Sequence, residues 1–232
     1  MELFLARLFD GLAAGGGYAA LALALVLIYK STGLINFAQG EMALLGAYIA
    51  YVFVVEQGWP VVLGVIVAMI IMGVVAAGIE RVFIRPFPPD NHLPLVIVTL
   101  GLFLVINAAI TVYWGTDPRT FPSMFPEGDL FTVGIASLTW SAVGTLLTVI
   151  AAYLLIELLL RRTKIGLAFR AVSSNLESSE LVGINVGRTL QFGWALAAAV
   201  SGSGLGTRRG GPSRGRPRNR PLRLWLHHFR GN

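Results

Sequence analysis

Residues 61–79 read VVLGVIVAMIIMGVVAAGI, 19 consecutive positions without a charge, and the fold class follows from them. A helix rises about 1.5 Å per residue and the hydrocarbon layer of a bilayer is about 30 Å thick, so this run is long enough to cross it. It is apolar on every side, whereas a helix on the surface of a soluble domain keeps a polar face. Outward from it, the same signature recurs at 33–55, where Glu41 is the one charge, and at 12–29, 93–114 and 130–156, which carry none. These windows are continuously apolar, unlike the alternating strands of a membrane barrel, and backbone groups in lipid must be paired within their own segment, so the crossings are helices. A further run at 190–200 is too short to span unaided. The expectation is an all-α, polytopic integral membrane protein of five or six transmembrane helices.

Composition agrees with this reading. Hydrophobic residues make up 55% of the chain and charged residues 13%, against about 25% charged in an ordinary soluble domain. The mean hydropathy is +0.71. The net charge of +6 does not point to nucleic acid: residues 1–200 hold 10 Lys or Arg against 12 Asp or Glu, while 201–232 hold eight arginines and no acid. There is no cysteine, which excludes disulfides, thiolate metal sites and a thiol nucleophile. Lys30, Arg81, Arg85, Arg161, Arg162, Lys164, Arg170 and Arg188 fall on one side of the membrane, and Arg7 and Arg119 on the other. The richer side is cytoplasmic by the positive-inside rule, which places the N-terminus outside. Glu2, Arg7 and Asp10 make a poor signal-peptide n-region, so the first 30 residues are read as a retained span. No phosphate-binding loop, H-E-x-x-H or G-x-S-x-G occurs, and His92, His227 and His228 stand in no ligand spacing. ATP binding, a metal centre and hydrolase chemistry are therefore not expected of this chain.

The polar positions inside the apolar windows are few. Asn36, Gln39 and Glu41 lie between or beside Gly33 and Gly40 in GLINFAQGE. Polar groups in hydrocarbon cost several kcal/mol unless partnered, so these three either line a translocation path along an interrupted helix or form a short cytoplasmic turn with Glu41 at a helix start. Thr99 and Asn107 sit roughly 80° apart around one helix axis, placed to share a path-facing side or to bond to neighbouring helices. Gly11 and Gly15 mark close helix packing, and Glu80 with Arg81 reads as a snorkelling pair at the membrane rim. Ser174 to Glu177 matches the S-x-x-E capping box of a short helix over 175–182, with Gly183 ending it in a left-handed turn.

GLINFAQGEMALLGAY at 33–48, IERVFIRP at 79–86, TDPRTFP at 116–122 and RRTKIGLAFRAVSSNLESSELVGINV at 161–186 together resemble the LivH-type permease subunit of bacterial branched-chain amino acid ABC importers. The resemblance runs over residues 5–200. It implies that residues 1–200 form a transmembrane permease domain, incomplete relative to the family, in the bacterial inner membrane. It also implies a translocation path at Asn36, Gln39, Glu41, Thr99 and Asn107. It implies further that the loop holding Gly166, Arg170, Ser174, Asn175, Glu177, Glu180 and Gly183 is the part that meets an ATPase. The implied partners are a second permease subunit of the LivM type, two ATPase subunits, a periplasmic substrate-binding protein and membrane lipid, with ATP held by a partner and no cofactor of the chain's own. Two other readings stay open: an ion- or proton-coupled secondary transporter with Glu41 as carrier, and a membrane enzyme, which the single in-span carboxylate disfavours. Family members continue past residue 202 with further spans, whereas residues 201–232 here are rich in Arg, Gly and Pro without periodicity. That tail is expected to be disordered, the product of a shifted reading frame or else a basic segment that attracts anionic lipid, and without a folded element to read nucleic acid.

Overall fold

The structure, a computed structural model, describes residues 2–87, 92–117, 119, 121–122, 124–126, 128–133 and 136–202. The tail beyond 202 lies outside the described residues. In chain order the elements are α1 (Glu2–Thr32), α2 (Gln39–Tyr51, continued by a π-helical turn Val52–Glu56) and α3 (Val61–Ile79, continued by a π-helical turn Glu80–Ile84). Then come α4 (His92–Trp114), the hairpin of β1 (Asp129–Val133) and β2 (Ala136–Thr139), α5 (Trp140–Arg162), α6 (Lys164–Ser174), α7 (Leu176–Leu181) and α8 (Val186–Ser201).

Val61–Ile84, Leu93–Trp114 and Trp140–Arg162 are each long and apolar enough to cross a membrane, and Ala14–Lys30 is a shorter apolar stretch within α1. Only 17% to 28% of the three long windows is buried inside the chain. Most of their apolar surface thus faces outward, which hydrocarbon tolerates and water does not.

Two windows differ from the sequence expectation. The run expected at 130–156 splits: residues 129–139 pair as an antiparallel hairpin, and α5 begins at Trp140, where the Thr139 hydroxyl accepts from the Ala142 amide at 3.2 Å. β-branched and aromatic residues favour strand pairing whenever a partner segment is adjacent, so apolarity alone did not set the helix start. The window at 33–55 also starts late. Gly33 takes φ +69°, a left-handed turn that ends α1, and helix resumes only at Gln39.

α8 is the most enclosed helix. Trp194 is 2% exposed, and Ala197 and Ala198 are fully buried. Small side chains let neighbours approach to backbone distance. The Ala195 carbonyl lies 3.4 Å from where a Cβ on Gly73 of α3 would stand, and the Gln191 amide donates to the Ala77 carbonyl at 2.9 Å. A Cβ on Gly202, just past the end of α8, would lie 2.8 Å from Cγ of Met72, midway along α3. A Cβ on Gly46 of α2 would fall 2.3 Å from the Gly202 Cα. Three helices therefore meet at Met72, Gly46 and Gly202. The close packing expected at Gly11 and Gly15 is not found there, since among the described residues no neighbouring element has an atom within 4 Å of either Cβ position; it falls at Gly16, against Thr145 of α5.

Lys30, Arg85, Arg161 and Arg170 line one cavity of about 1150 Å³, and Lys164 and Arg188 line a smaller one beside α6. The basic residues thus gather at one end of the helices, hereafter the basic end. At the opposite end Arg119 pairs with Glu56 at 3.9 Å and stacks over Tyr51.

Candidate translocation path and coupling loop

Asn36 and Gln39 are 2% and 1% exposed, although they belong to the connection between α1 and α2 and to its first helical residue. Their burial is matched bond for bond. The Asn36 side-chain oxygen accepts from the Ala38 amide at 3.0 Å, and its amide donates to Gln39 Oε1 at 3.2 Å and to the Met42 sulfur at 3.5 Å. Gln39 Nε2 donates to Ser201 Oγ at 2.8 Å, and that hydroxyl donates to the Ala198 carbonyl at 3.3 Å. Ser201 is adjacent to Gly202, which rests on Met72, so the side-chain amide of Gln39 is held among the spanning helices and not at their rim. The break at 33–38 is what allows this. A continuous helix would satisfy its own backbone and offer no polar node at this place.

Glu41 falls in the first turn of α2, where a carboxylate favours the positive end of the helix dipole. Asn107 of α4 donates to its Oε1 at 3.2 Å, while its Oε2 is buried without a partner among the described residues. The structure thus joins Asn107 to Glu41 and separates it from Thr99. Thr99 is 3% exposed and turns its hydroxyl onto the Val96 carbonyl of its own helix at 3.0 Å.

At the basic end, α5 hands over to α6 within one residue. Thr163 caps α6 by accepting from the Gly166 amide at 3.0 Å and donates to the Leu159 carbonyl at 2.6 Å. Gly166 is sterically required there: a Cβ would stand 2.2 to 2.5 Å from backbone atoms of Leu160, which cannot swing aside. The next helix is capped by Asn175 and not by Ser174. Asn175 leaves helical geometry (φ −155°, ψ 108°) and accepts from the Ser178 amide at 2.8 Å, while Ser174 is the last residue of α6. The capping-box reading fails because α6 buries Phe169 and Val172 and continues helical through Ser174, so the break moves one residue on. Gly183 closes α7 with φ +83°, as its sequence position implied. Arg170 and Glu180 line the larger cavity, Glu177 is exposed, and Leu181 and Val182 project at 85% and 76% exposure.

Sequence reasoning gave two residues other places than the ones they hold in the structure. Ser201 completes the buried node but was assigned to the tail. Glu80 is 1% exposed and pairs with Arg85 at 2.7 Å, so it is not half of a rim pair with Arg81. In an α-helix, positions five apart point about 140° away from each other; the π-helical turn at Glu80–Ile84 brings them together, and hydropathy does not foretell such a turn.

The family described as branched-chain amino acid transport system / permease component matches residues 7–204. The chain is 27% identical over 211 residues to the high-affinity branched-chain amino acid transport system permease protein LivH of Escherichia coli K12, covering 85% of this chain and 68% of that one. It is 26% identical, with the same coverage, to BraD of Pseudomonas aeruginosa. The probable LivH of Methanocaldococcus jannaschii is 30% identical over 192 residues, covering 78% of this chain and 59% of the relative. No solved structure matches. A largely helical membrane architecture, an interrupted helix with a buried polar node and a match across nearly the whole described region lead to one conclusion: this chain belongs to the permease-component family of branched-chain amino acid transport systems.

Proposed function

We propose that the chain is the transmembrane permease subunit of an ATP-driven importer of branched-chain or related amino acids, set in the plasma membrane with its N-terminus outside. It works with a second permease subunit, two ATPase subunits and an extracytoplasmic binding protein, and performs no covalent chemistry itself. The observation that carries this reading is the buried Asn36–Gln39–Ser201 node at the break between α1 and α2. A zwitterionic solute crossing hydrocarbon needs polar partners that can be exchanged for one another. Side-chain amides offer both a donor and an acceptor without a fixed charge, so they can release a solute as readily as they take it. Glu41, two residues beyond Gln39 and about 200° around α2, forms a second polar pair with Asn107 of α4. The α6–α7 loop, at the basic end, is the part that meets the ATPase.

Two preparations test the proposal. The chain is reconstituted in proteoliposomes with its partner permease, with or without the ATPase subunits, and radiolabelled leucine uptake is followed. ATP-dependent uptake that requires the ATPase and falls in Glu41→Gln supports it. Uptake driven by a proton gradient with no ATPase, or normal uptake by a normally assembled E41Q complex, refutes the importer or the path role respectively.

A further inference from the structure

Glu80 and Arg85 are not explained by a translocation path. The carboxylate is 1% exposed at the basic end of α3 and accepts two bonds from one guanidinium, Nη2 at 2.7 Å and Nε at 3.3 Å. The same Nη2 also donates to the backbone carbonyl of Gly187 at 2.8 Å. Gly187 is the second residue of α8, immediately beyond the α6–α7 loop and the Asn185 cap. The approach is close: a Cβ there would stand 3.2 Å from the Arg85 guanidinium carbon, so a side chain would push the guanidinium aside by a few tenths of an ångström. Arg85 thus ties the end of α3 to the point where the loop becomes α8. From there α8 runs to Ser201 and the Gln39 node, held against α3 on the way by Gln191 and Gly73.

We infer that Arg85 is a positioning residue that transmits displacement of the α6–α7 loop to α3 and α8 as one unit, with Glu80 fixing its geometry. This rests on the proposed function in one respect, that an ATPase moves the loop. A planar guanidinium holds the carboxylate with two donors and still reaches the Gly187 carbonyl, whereas a lysine ammonium is a single point that cannot span the same three acceptors in this geometry. Without the tie, the start of α8 slides past α3 and loop motion is spent locally.

The test uses the full chain, whose lack of cysteine allows clean labelling. Spin labels at Val82 and Val182, both exposed, report the distance between the α3 end and the loop tip by pulsed electron resonance. A narrow distribution in the parent that broadens in Arg85→Lys and Arg85→Met supports the tie, and an unchanged one overturns it, whether or not the chain transports. In the reconstituted complex, ATP hydrolysed per leucine moved should rise about tenfold in both variants, within the usual range of coupling between sites. The pair Glu80→Met with Arg85→Met removes both members of the buried ion pair and so leaves no lone buried charge, yet the tie predicts that it leaves the ratio raised. A parental ratio in R85K or in that double variant overturns the inference. Should the parent complex show no ATP-driven uptake, the importer reading fails, and the spin-label distances still decide on the tie.

Discussion

Gly46→Ala is the sharpest probe of the packing at the heart of this chain. The added methyl would stand 2.3 Å from the Cα, 2.7 Å from the oxygen and 2.9 Å from the carbonyl carbon of Gly202, all of them backbone atoms. Real Cβ contacts do not come this close, so α2 or the end of α8 must shift. Overpacking of this kind costs about 1–3 kcal/mol, while replacing a mid-helix glycine by alanine returns about 1 kcal/mol of helix propensity. Gly101→Ala is the matched control, since Gly101 is also helical and has nothing within 4 Å of its Cβ position. The propensity gain cancels between the two variants, leaving a difference of about 1–3 kcal/mol that belongs to the clash alone. For a chain of this size that separates the two melting midpoints by roughly 2–12 °C. The assay is thermal unfolding of the detergent-solubilised chain followed by gel filtration. Equal midpoints for G46A and G101A would falsify the three-helix contact at Met72, Gly46 and Gly202.

Other perturbations follow from the same geometry. Gly73→Cys with Ala199→Cys should form a disulfide on mild oxidation in membranes, because the Cβ positions are 3.9 Å apart and the usual separation is about 3.8 Å; a persistently reduced pair on non-reducing gels would contradict the α3–α8 packing. Asn175→Ala should cost α7 its cap, about 1 kcal/mol, and speed proteolysis of the loop, whereas Ser174→Ala should not; the reverse order would reinstate the capping box. Gln39→Leu removes two hydrogen bonds of the node, leaving the Asn36 amide only the Met42 sulfur and the Ser201 hydroxyl only the Ala198 carbonyl, a loss of about 0.5–1.5 kcal/mol per bond, and should lower both thermal stability and leucine uptake; an unchanged melt would show that the node is not closed as described.

Residues 61–79 and 93–114 needed no structure to be read. Their hydropathy admits no other environment than lipid, and burial of a whole apolar surface is a property of the residues themselves. The glycine turn at Gly183 and the separate short helix before it were legible for a similar reason, since left-handed φ is a local demand. Neighbours decided the rest. The hairpin at 129–139 arose because two apolar segments found each other, and the α7 cap fell on Asn175 because packing carried α6 one residue further. Glu80 gained its partner from a π-helical turn, and Ser201 joined Gln39 across 162 residues of chain. A window scan weighs each residue against water or lipid one at a time, but a buried polar group is stable only through the particular partner that the assembled helices bring within about 3 Å.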